Sequence, residues 1–390
     1  MRSFLSTSGP GALAIGLLFG ALVLLAIARF SVQPARRYRT WLVALIATEL
    51  GHFWALAALG LCFVSARLAN HPQDVLTSAV AVSLYALSAV FFSRPAWSAW
   101  KLHRALSGEL DNTFGKTAAL PPLWSWLRLW RWPQAVRRGP VLTHFVAPNL
   151  PLDVYPAQRP PASGAPCVIL VHGGGWDSGE RTQLAGFNHW LAAHGVAVAA
   201  ISYRLAPAHP WPTQRDDLHQ AVVWLRDQAP ALGIDPERLT LVGRSAGGQI
   251  ATATAYGTPL PGVRAVVALY AVHDLNFVWS IRSPTDSLNS DKLMRQYLGG
   301  GPEGRETLYR SGSAEQLVHP GVPPTLLLHG ALDQLVWCRH SERLTAALQR
   351  VGAPHVFARL PWATHAGEAN LHGPSGQLIT GAVLRVALGG

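Results

Sequence analysis

The chain has 390 residues, 49% of them hydrophobic and 14% charged, with a formal net charge of +11. The length exceeds one typical domain, and neither an internal repeat nor a long low-complexity tract divides it. Three cysteines (Cys62, Cys167, Cys338) are placed too unlike one another for a disulfide framework, no Cys/His spacing suits a structural zinc site, and the positive charge comes without a recognisable nucleic-acid-binding motif.

The apolar residues concentrate at the start. Residues 11–28, 41–65 and 75–92 are long, mostly uncharged stretches, each close to the roughly 20 residues a helix needs to cross a bilayer. They read as three transmembrane helices within a region 1–93; a set of buried core helices is the alternative, but no amphipathic stripe marks one. Arg29, Arg36, Arg37 and Arg39 lie between the first two stretches and a second basic cluster follows the third, whereas Arg67 and Asp74 are the charges of the remaining connection. Basic loops face the cytoplasm, so the N-terminus is expected outside and the C-terminal domain in the cytoplasm. A cleaved signal peptide ending near Ala26-Ile27-Ala28 is the rival, and it would translocate both basic clusters. Glu49 and His52 stand three residues apart in the second stretch, hence on one helix face, and read as an interhelical polar contact because no further ionisable groups accompany them.

Residues 94–139 change character. Eight Lys or Arg face Glu109 and Asp111, interleaved with Trp97, Trp100, Trp124, Trp126, Trp130 and Trp132. The run PPLWSWLRLWRWP (121–133) reads as a short interfacial helix whose Arg128 and Arg131 reach lipid phosphates; packing on the following domain is the alternative, and both can hold. Membrane lipids are thus the expected partner of this basic linker.

From residue 140 strands and helices alternate. VLTHFVAP and LPLDVYPAQ form an antiparallel pair about Pro148-Asn149. CVILVHGGG, VAVAAISYR, RLTLVG, VRAVVALY, TLLLHG and HVFARLP read as strands, separated by helices over 181–194, 213–228, 246–257 and 340–352 and followed by a last helix. This is an α/β pattern, a mainly parallel sheet covered on both faces, with a mixed, cap-like insertion over about 271–323 that contains Asp274, Trp279 and Tyr297.

Two motifs carry chemistry. GRSAGG (243–248) contains Gly-x-Ser-x-Gly between a β-branched run and an Ala-rich helix, the setting of a nucleophile elbow that lifts Ser245 Oγ off the sheet. HGGGW (172–176) closes another strand and offers backbone amides; His172 reads as a structural hydrogen-bonding residue.

With YRLAP (203–207), HGALDQLV (329–336) and ATHAGE (363–368), these motifs resemble the α/β-hydrolase superfamily in its esterase/lipase branch, which includes hormone-sensitive-lipase-like and feruloyl-esterase-like carboxylesterases. The resemblance covers residue 141 to the C-terminus. It implies Ser245 as nucleophile, His365 as base, Asp333 as the acid that orients it, and the amides of Gly173, Gly174 and Ala246 as the oxyanion hole. His372 is the alternative base and Asp291 the alternative acid. YRLAP and the acidic helix start at Asp216 and Asp217 are structural. Two residues depart from the pattern: Gly367 replaces a bulkier apolar residue, and Arg244 stands where the hormone-sensitive-lipase branch has an acid. Arg244 is expected to pair with Asp177 or Glu180, or else to meet an anionic substrate.

The expected protein is therefore a membrane-anchored serine hydrolase cleaving carboxylic esters of hydrophobic acyl groups through an acyl-enzyme, with no cofactor and no metal. A peptidase, an amide or formamide hydrolase and an acyltransferase share the fold. A non-catalytic membrane scaffold is the alternative of another class, and a complete Ser245, Asp333 and His365 set argues against it.

Overall fold

The computed structural model describes residues 10–35, 37–69, 74–116, 121–132 and 136–389. Arg36 of the first basic cluster and Pro133 of the Trp-rich run lie outside the described residues.

Among the described residues four α-helices come first: α1 (Pro10–Ala28), α2 (Tyr38–Glu49), α3 (Gly51–Leu68) and α4 (Val75–Phe114). The second apolar stretch is therefore not one helix over 41–65. It breaks at Leu50, whose backbone leaves helical geometry at φ −116° and ψ 16°. Just past the break α3 lies close against α4, and only a glycine fits there: a Cβ at Gly51 would stand 2.3 Å from the Phe92 carbonyl oxygen. The third stretch, in contrast, runs well past residue 92, and α4 spans 40 residues. Its first half packs small residues such as Ser78, Ala81 and Ser88 inward, as close helix contact requires, and Tyr85 Oη donates to the Leu17 carbonyl at 2.9 Å.

Three helical segments, Gly11–Ser31, Gly51–Leu68 and Val75–Phe114, are long and apolar enough to cross a membrane, by length and composition. Their outer surface exposes Ile15, Phe19, Leu56, Phe63, Leu76 and Val90, far more apolar side chain than one water-facing surface ordinarily shows.

The C-terminal domain is an eight-stranded sheet in the order β1-β2-β4-β3-β5-β6-β7-β8. Its strands are β1 (Leu142–Ala147), β2 (Leu150–Tyr155), β3 (Ala165–Val171), β4 (Ala197–Ile201), β5 (Ile234–Arg244), β6 (Val263–Leu269), β7 (Thr325–Gly330) and β8 (His355–Leu360). β2 runs antiparallel to both neighbours, and β4 to β8 with β3 are parallel. Side chains alternate between the faces of the pleat, so Ile169, Leu241 and Leu327 join one buried cluster while Val168, Leu170, Val242 and Leu328 join the other. The helices covering the sheet are α5 (Ala185–Ala193), α6 (Thr213–Leu232), α7 (Ala246–Gly257), α11 (Arg339–Arg350) and α12 (Pro374–Leu388). α5 is shorter than the expected 181–194. Between β6 and β7 the insertion forms three short helices, α8 (Leu275–Ile281), α9 (Ser290–Leu298) and α10 (Glu306–Ser311).

The two regions are packed together. Leu106, Leu110 and Phe114 of α4 enter the same apolar cluster as Leu378 and Leu384 of α12. The Trp-rich run forms a short 3-10 turn, Trp126–Trp130, rather than an α-helix. Arg128 turns inward there: its guanidinium donates to the Leu371 carbonyl at 3.3 Å and lies 5.3 Å from the Trp190 ring centre. Trp126, Leu127, Trp130 and Trp132 remain outside and exposed.

Glycines in α3 separate two effects. Gly51→Ala drives a methyl into the Phe92 carbonyl and should lower the thermal unfolding temperature of detergent-solubilised protein, a cost of about 1–3 kcal/mol for an overpacked contact. Gly60 has nothing within 4 Å of its added Cβ, so Gly60→Ala should be neutral or slightly stabilising in the same melt.

Candidate active site

Ser245 sits between β5 and α7 with φ 53° and ψ −122°, a conformation that costs a non-glycine residue energy unless its surroundings impose it. They do. Ser245 N–H donates to the Leu269 carbonyl at 2.9 Å and its own carbonyl accepts from Gly248 N–H at 3.0 Å. The turn is too tight for side chains nearby: a Cβ on Gly247 would meet the His172 carbonyl at 2.2 Å, and one on Gly243 the Gly247 carbonyl at 2.3 Å. The Gly-x-Ser-x-Gly spacing is thus a record of how closely α7 approaches β3 and β5.

Gly173, at the end of β3, faces the serine; a Cβ built on it would lie 3.3 Å from Ser245 Cβ. Gly174 takes φ 130°, and its carbonyl is held by Ser178 N–H at 3.0 Å and Ser178 Oγ at 2.7 Å. Ala246 opens α7, where backbone N–H groups lack intrahelical acceptors and the helix dipole is positive. His172 points away from this group: it stacks on Tyr203 with ring centres 4.1 Å apart, and burial pushes its pKa down to about 4. Trp176 carries the motif into the cap, donating to Gln249 Oε1 at 2.8 Å and stacking on Tyr297 at 4.4 Å.

Asp333 and His365 follow β7 and β8. His365 Nδ1 and Asp333 Oδ2 are 2.6 Å apart, and the other carboxylate oxygen accepts from Leu335 N–H at 2.9 Å and Val336 N–H at 3.0 Å. Burial opposes ionisation of Asp333, but the attraction of His365 and hydrogen bonds from His329 and His365 hold its carboxyl below the usual aspartate range. The alternatives lie elsewhere. Asp291 is on α9, paired with Arg282 at 2.7 Å and Arg295 at 2.8 Å. His372 is buried ahead of α12, and its backbone N–H donates to Asn370 Oδ1 at 3.1 Å.

Arg244 pairs with neither Asp177 nor Glu180. Its guanidinium lies 2.7 Å from Glu368 and donates to Tyr270 Oη at 2.9 Å and Gln183 Oε1 at 3.2 Å. Tyr270 Oη in turn donates to Glu368, and the Tyr270 ring rests against His365 with centres 4.3 Å apart. Glu368 lies within ATHAGE, yet its partner could not be read from the motif, because the contact joins the end of β5 to a 3-10 turn beyond β8.

Ser245, Ala246, Gly173, Gly174 and His365 all line one cavity of about 700 Å³. The cap closes it with Val278, Ile281, Leu288, Leu293 and Met294, and Leu335, Val336 and Trp337 add a further side. Tyr38 and Trp41 of α2 complete the lining. Neither was singled out in the sequence, since an aromatic pair at the start of an apolar run carries no signal of a cavity 200 residues away in the chain.

A strand-to-helix serine, a histidine–aspartate pair and glycine-rich amides at the carboxyl ends of neighbouring parallel strands define an α/β-hydrolase of the esterase/lipase class. A family model described as BD-FAE matches residues 152–348, and the chain belongs to that family. It is 30% identical to esterase LipQ of Mycobacterium tuberculosis over 55% of this chain and 53% of the relative. It is 32% identical to the ethyl acetate hydrolase of Pseudomonas putida over 54% of this chain and 72% of the relative. The chain thus spans about half the length of the first of these curated relatives. Among solved structures, the Pyrobaculum calidifontis esterase shares the fold with a TM-score of 0.58 at 19% identity, over 74% of this chain and 92% of that one.

The Arg244 and Glu368 pair yields a stability test. Arg244→Ala strands a buried carboxylate and should cost about 3–5 kcal/mol, read as a lower melting temperature. Combining it with Glu368→Gln should restore part of the loss, giving a non-additive double-mutant cycle.

Proposed function

We propose that the protein is a membrane-anchored serine carboxylesterase acting on esters of hydrophobic acyl groups. The observation that carries this reading is the convergence of Ser245, His365, Gly173, Gly174 and Ala246 on one apolar cavity, with Asp333 bonded to His365 behind it. Asp333 fixes Nδ1–H of His365 and leaves Nε2 free to take the proton from Ser245 Oγ as that oxygen attacks the acyl carbonyl. The amides of Gly173, Gly174 and Ala246 donate to the oxyanion of the tetrahedral intermediate. His365 returns the proton to the leaving alcohol, and water, activated by the same histidine, hydrolyses the acyl-enzyme and regenerates Ser245.

The lining favours apolar acyl chains, and the charge of Arg244 is already met by Glu368, so an anionic substrate gains little from it. The relatives described as esterase and as ethyl acetate hydrolase support ester chemistry. Membrane anchoring rests on the apolar outer surface of α1, α3 and the first half of α4. The second half of α4 packs on α12, and α2 and the start of α3 bond to the C-terminal domain and the Trp-rich turn. Arg29 and Arg37 belong to the connection between α1 and α2, and basic loops face the cytoplasm. The catalytic domain accordingly belongs in the cytoplasm.

Fluorophosphonate labelling with a series of p-nitrophenyl esters tests the chemistry. Wild type should label and hydrolyse, and Ser245→Ala should do neither; folded wild type that does neither points to the scaffold reading. Asp333→Asn should lower kcat by about 10⁴-fold, as the wrongly oriented imidazole tautomer does in such triads. A C-terminal tag should resist added protease in sealed, right-side-out cells, and its digestion there would reverse the orientation.

A further inference from the structure

We infer that α2 is part of the catalytic site: Trp41 is a positioning residue for His365, and Tyr38 with Trp41 forms a specificity-determining wall of the acyl cavity. This rests on the esterase reading of the same site.

The loop between β8 and α12 carries His365, and α2 grips it at both ends. Near its start, Trp41 Nε1–H donates to the His365 backbone carbonyl at 3.1 Å. At its last residue, the Glu49 carboxylate accepts from Ser375 N–H at 3.0 Å and Ser375 Oγ at 2.5 Å, at the N-terminus of α12, and the Glu49 carbonyl accepts from Asn370 Nδ2 at 2.9 Å. The Glu49 side chain also fills the space over Gly367 and Gly373, where added Cβ atoms would come within 3.2 Å and 2.4 Å of it. The two anchors are eight residues apart on one helix, about 12 Å along its axis. His52, just past the break, holds a second segment through Nε2 at 2.7 Å from the Leu129 carbonyl.

His365 is thereby fixed on three sides: by Asp333 at Nδ1, by the Tyr270 ring across its face, and by Trp41 at its backbone. The third hold matters because a backbone rotation there swings Nε2 relative to Ser245, and small misplacements of a catalytic group are expensive in rate. The wall role follows from the lining. Tyr38 and Trp41 pack on each other with ring centres 5.1 Å apart and both border the cavity. Outside it, Tyr38, Leu42 and Ile46 are exposed at intervals of four residues, an apolar stripe on one face of α2 that leads to the cavity. A helix that lies between two candidate membrane spans therefore supplies both the stripe and the wall.

The experiment uses full-length protein in detergent, with active sites titrated by fluorophosphonate so that misfolded molecules are not counted. Trp41→Phe keeps a ring in the wall and removes the N–H; kcat per titrated site on p-nitrophenyl butyrate should fall roughly three- to tenfold, the rate equivalent of one lost hydrogen bond, with KM within about twofold. Tyr38→Ala should change the ratio of kcat/KM for decanoate over butyrate by about threefold or more. Wild-type kcat per site in Trp41→Phe overturns the positioning role, and an unchanged ratio in Tyr38→Ala overturns the wall. Wild-type protein that does not label at Ser245 sinks the esterase reading and this inference together, whereas normal labelling with unaffected variants sinks the role of α2 alone.

Discussion

The reversal of the chain at Ser245 is the constraint around which the molecule is arranged. A serine at φ 53° survives because β3, β5 and α7 meet with no room for side chains at Gly243 and Gly247. The same crowding that holds the strain brings Gly173 beside the serine and Ala246 to the cavity lining. Sheet packing and site geometry are one arrangement here, and the buried apolar faces of the central strands stabilise both.

Behind that turn lie two buried carboxylates, Asp333 and Glu368, and each meets different partners. Asp333 is met by His365 and two backbone amides. Glu368 is met by Arg244 and Tyr270. A buried charge is tolerable only when paired and hydrogen-bonded, so the unusual arginine before the nucleophile is explained by the glutamate three residues after the histidine. Tyr270 connects the two sets, since its hydroxyl joins the ion pair while its ring contacts His365.

The N-terminal helices make two kinds of contact. Their outer faces are apolar, and their inner ends carry polar groups that reach the C-terminal domain. α4 joins these environments along its length, packing on α1 and α3 at one end and on α12 at the other. Glu49 and His52 illustrate the change of meaning that this brings. In the sequence they read as an interhelical polar contact on one helix face; folded, they lie on either side of the break at Leu50, Glu49 meeting the N-terminus of α12 and His52 the Trp-rich turn.

Local pattern carried a large part of this architecture. Apolar strands of fixed period, the glycines around Ser245 and the order of HGGGW, GRSAGG, HGALDQLV and ATHAGE are short-range features, because steric limits on a tight turn and the pleat of a strand act over a few residues. They sufficed for the strands of the sheet and for the strand-to-helix turn at Ser245, but not for Tyr38 and Trp41, which border the cavity beside it. Apolar composition marked the helices able to cross a membrane but not where they stop. The break at Leu50 is followed at once by the close approach of Gly51 to Phe92, and the far end of α4 is covered by α12, both of them contacts between segments distant in the chain. The partner of Arg244 and the hold of Trp41 on a carbonyl 324 residues away were hidden for the same reason. A side chain's type limits the bonds it can form, but which group it meets depends on elements brought together by burial, and no local spacing records that meeting.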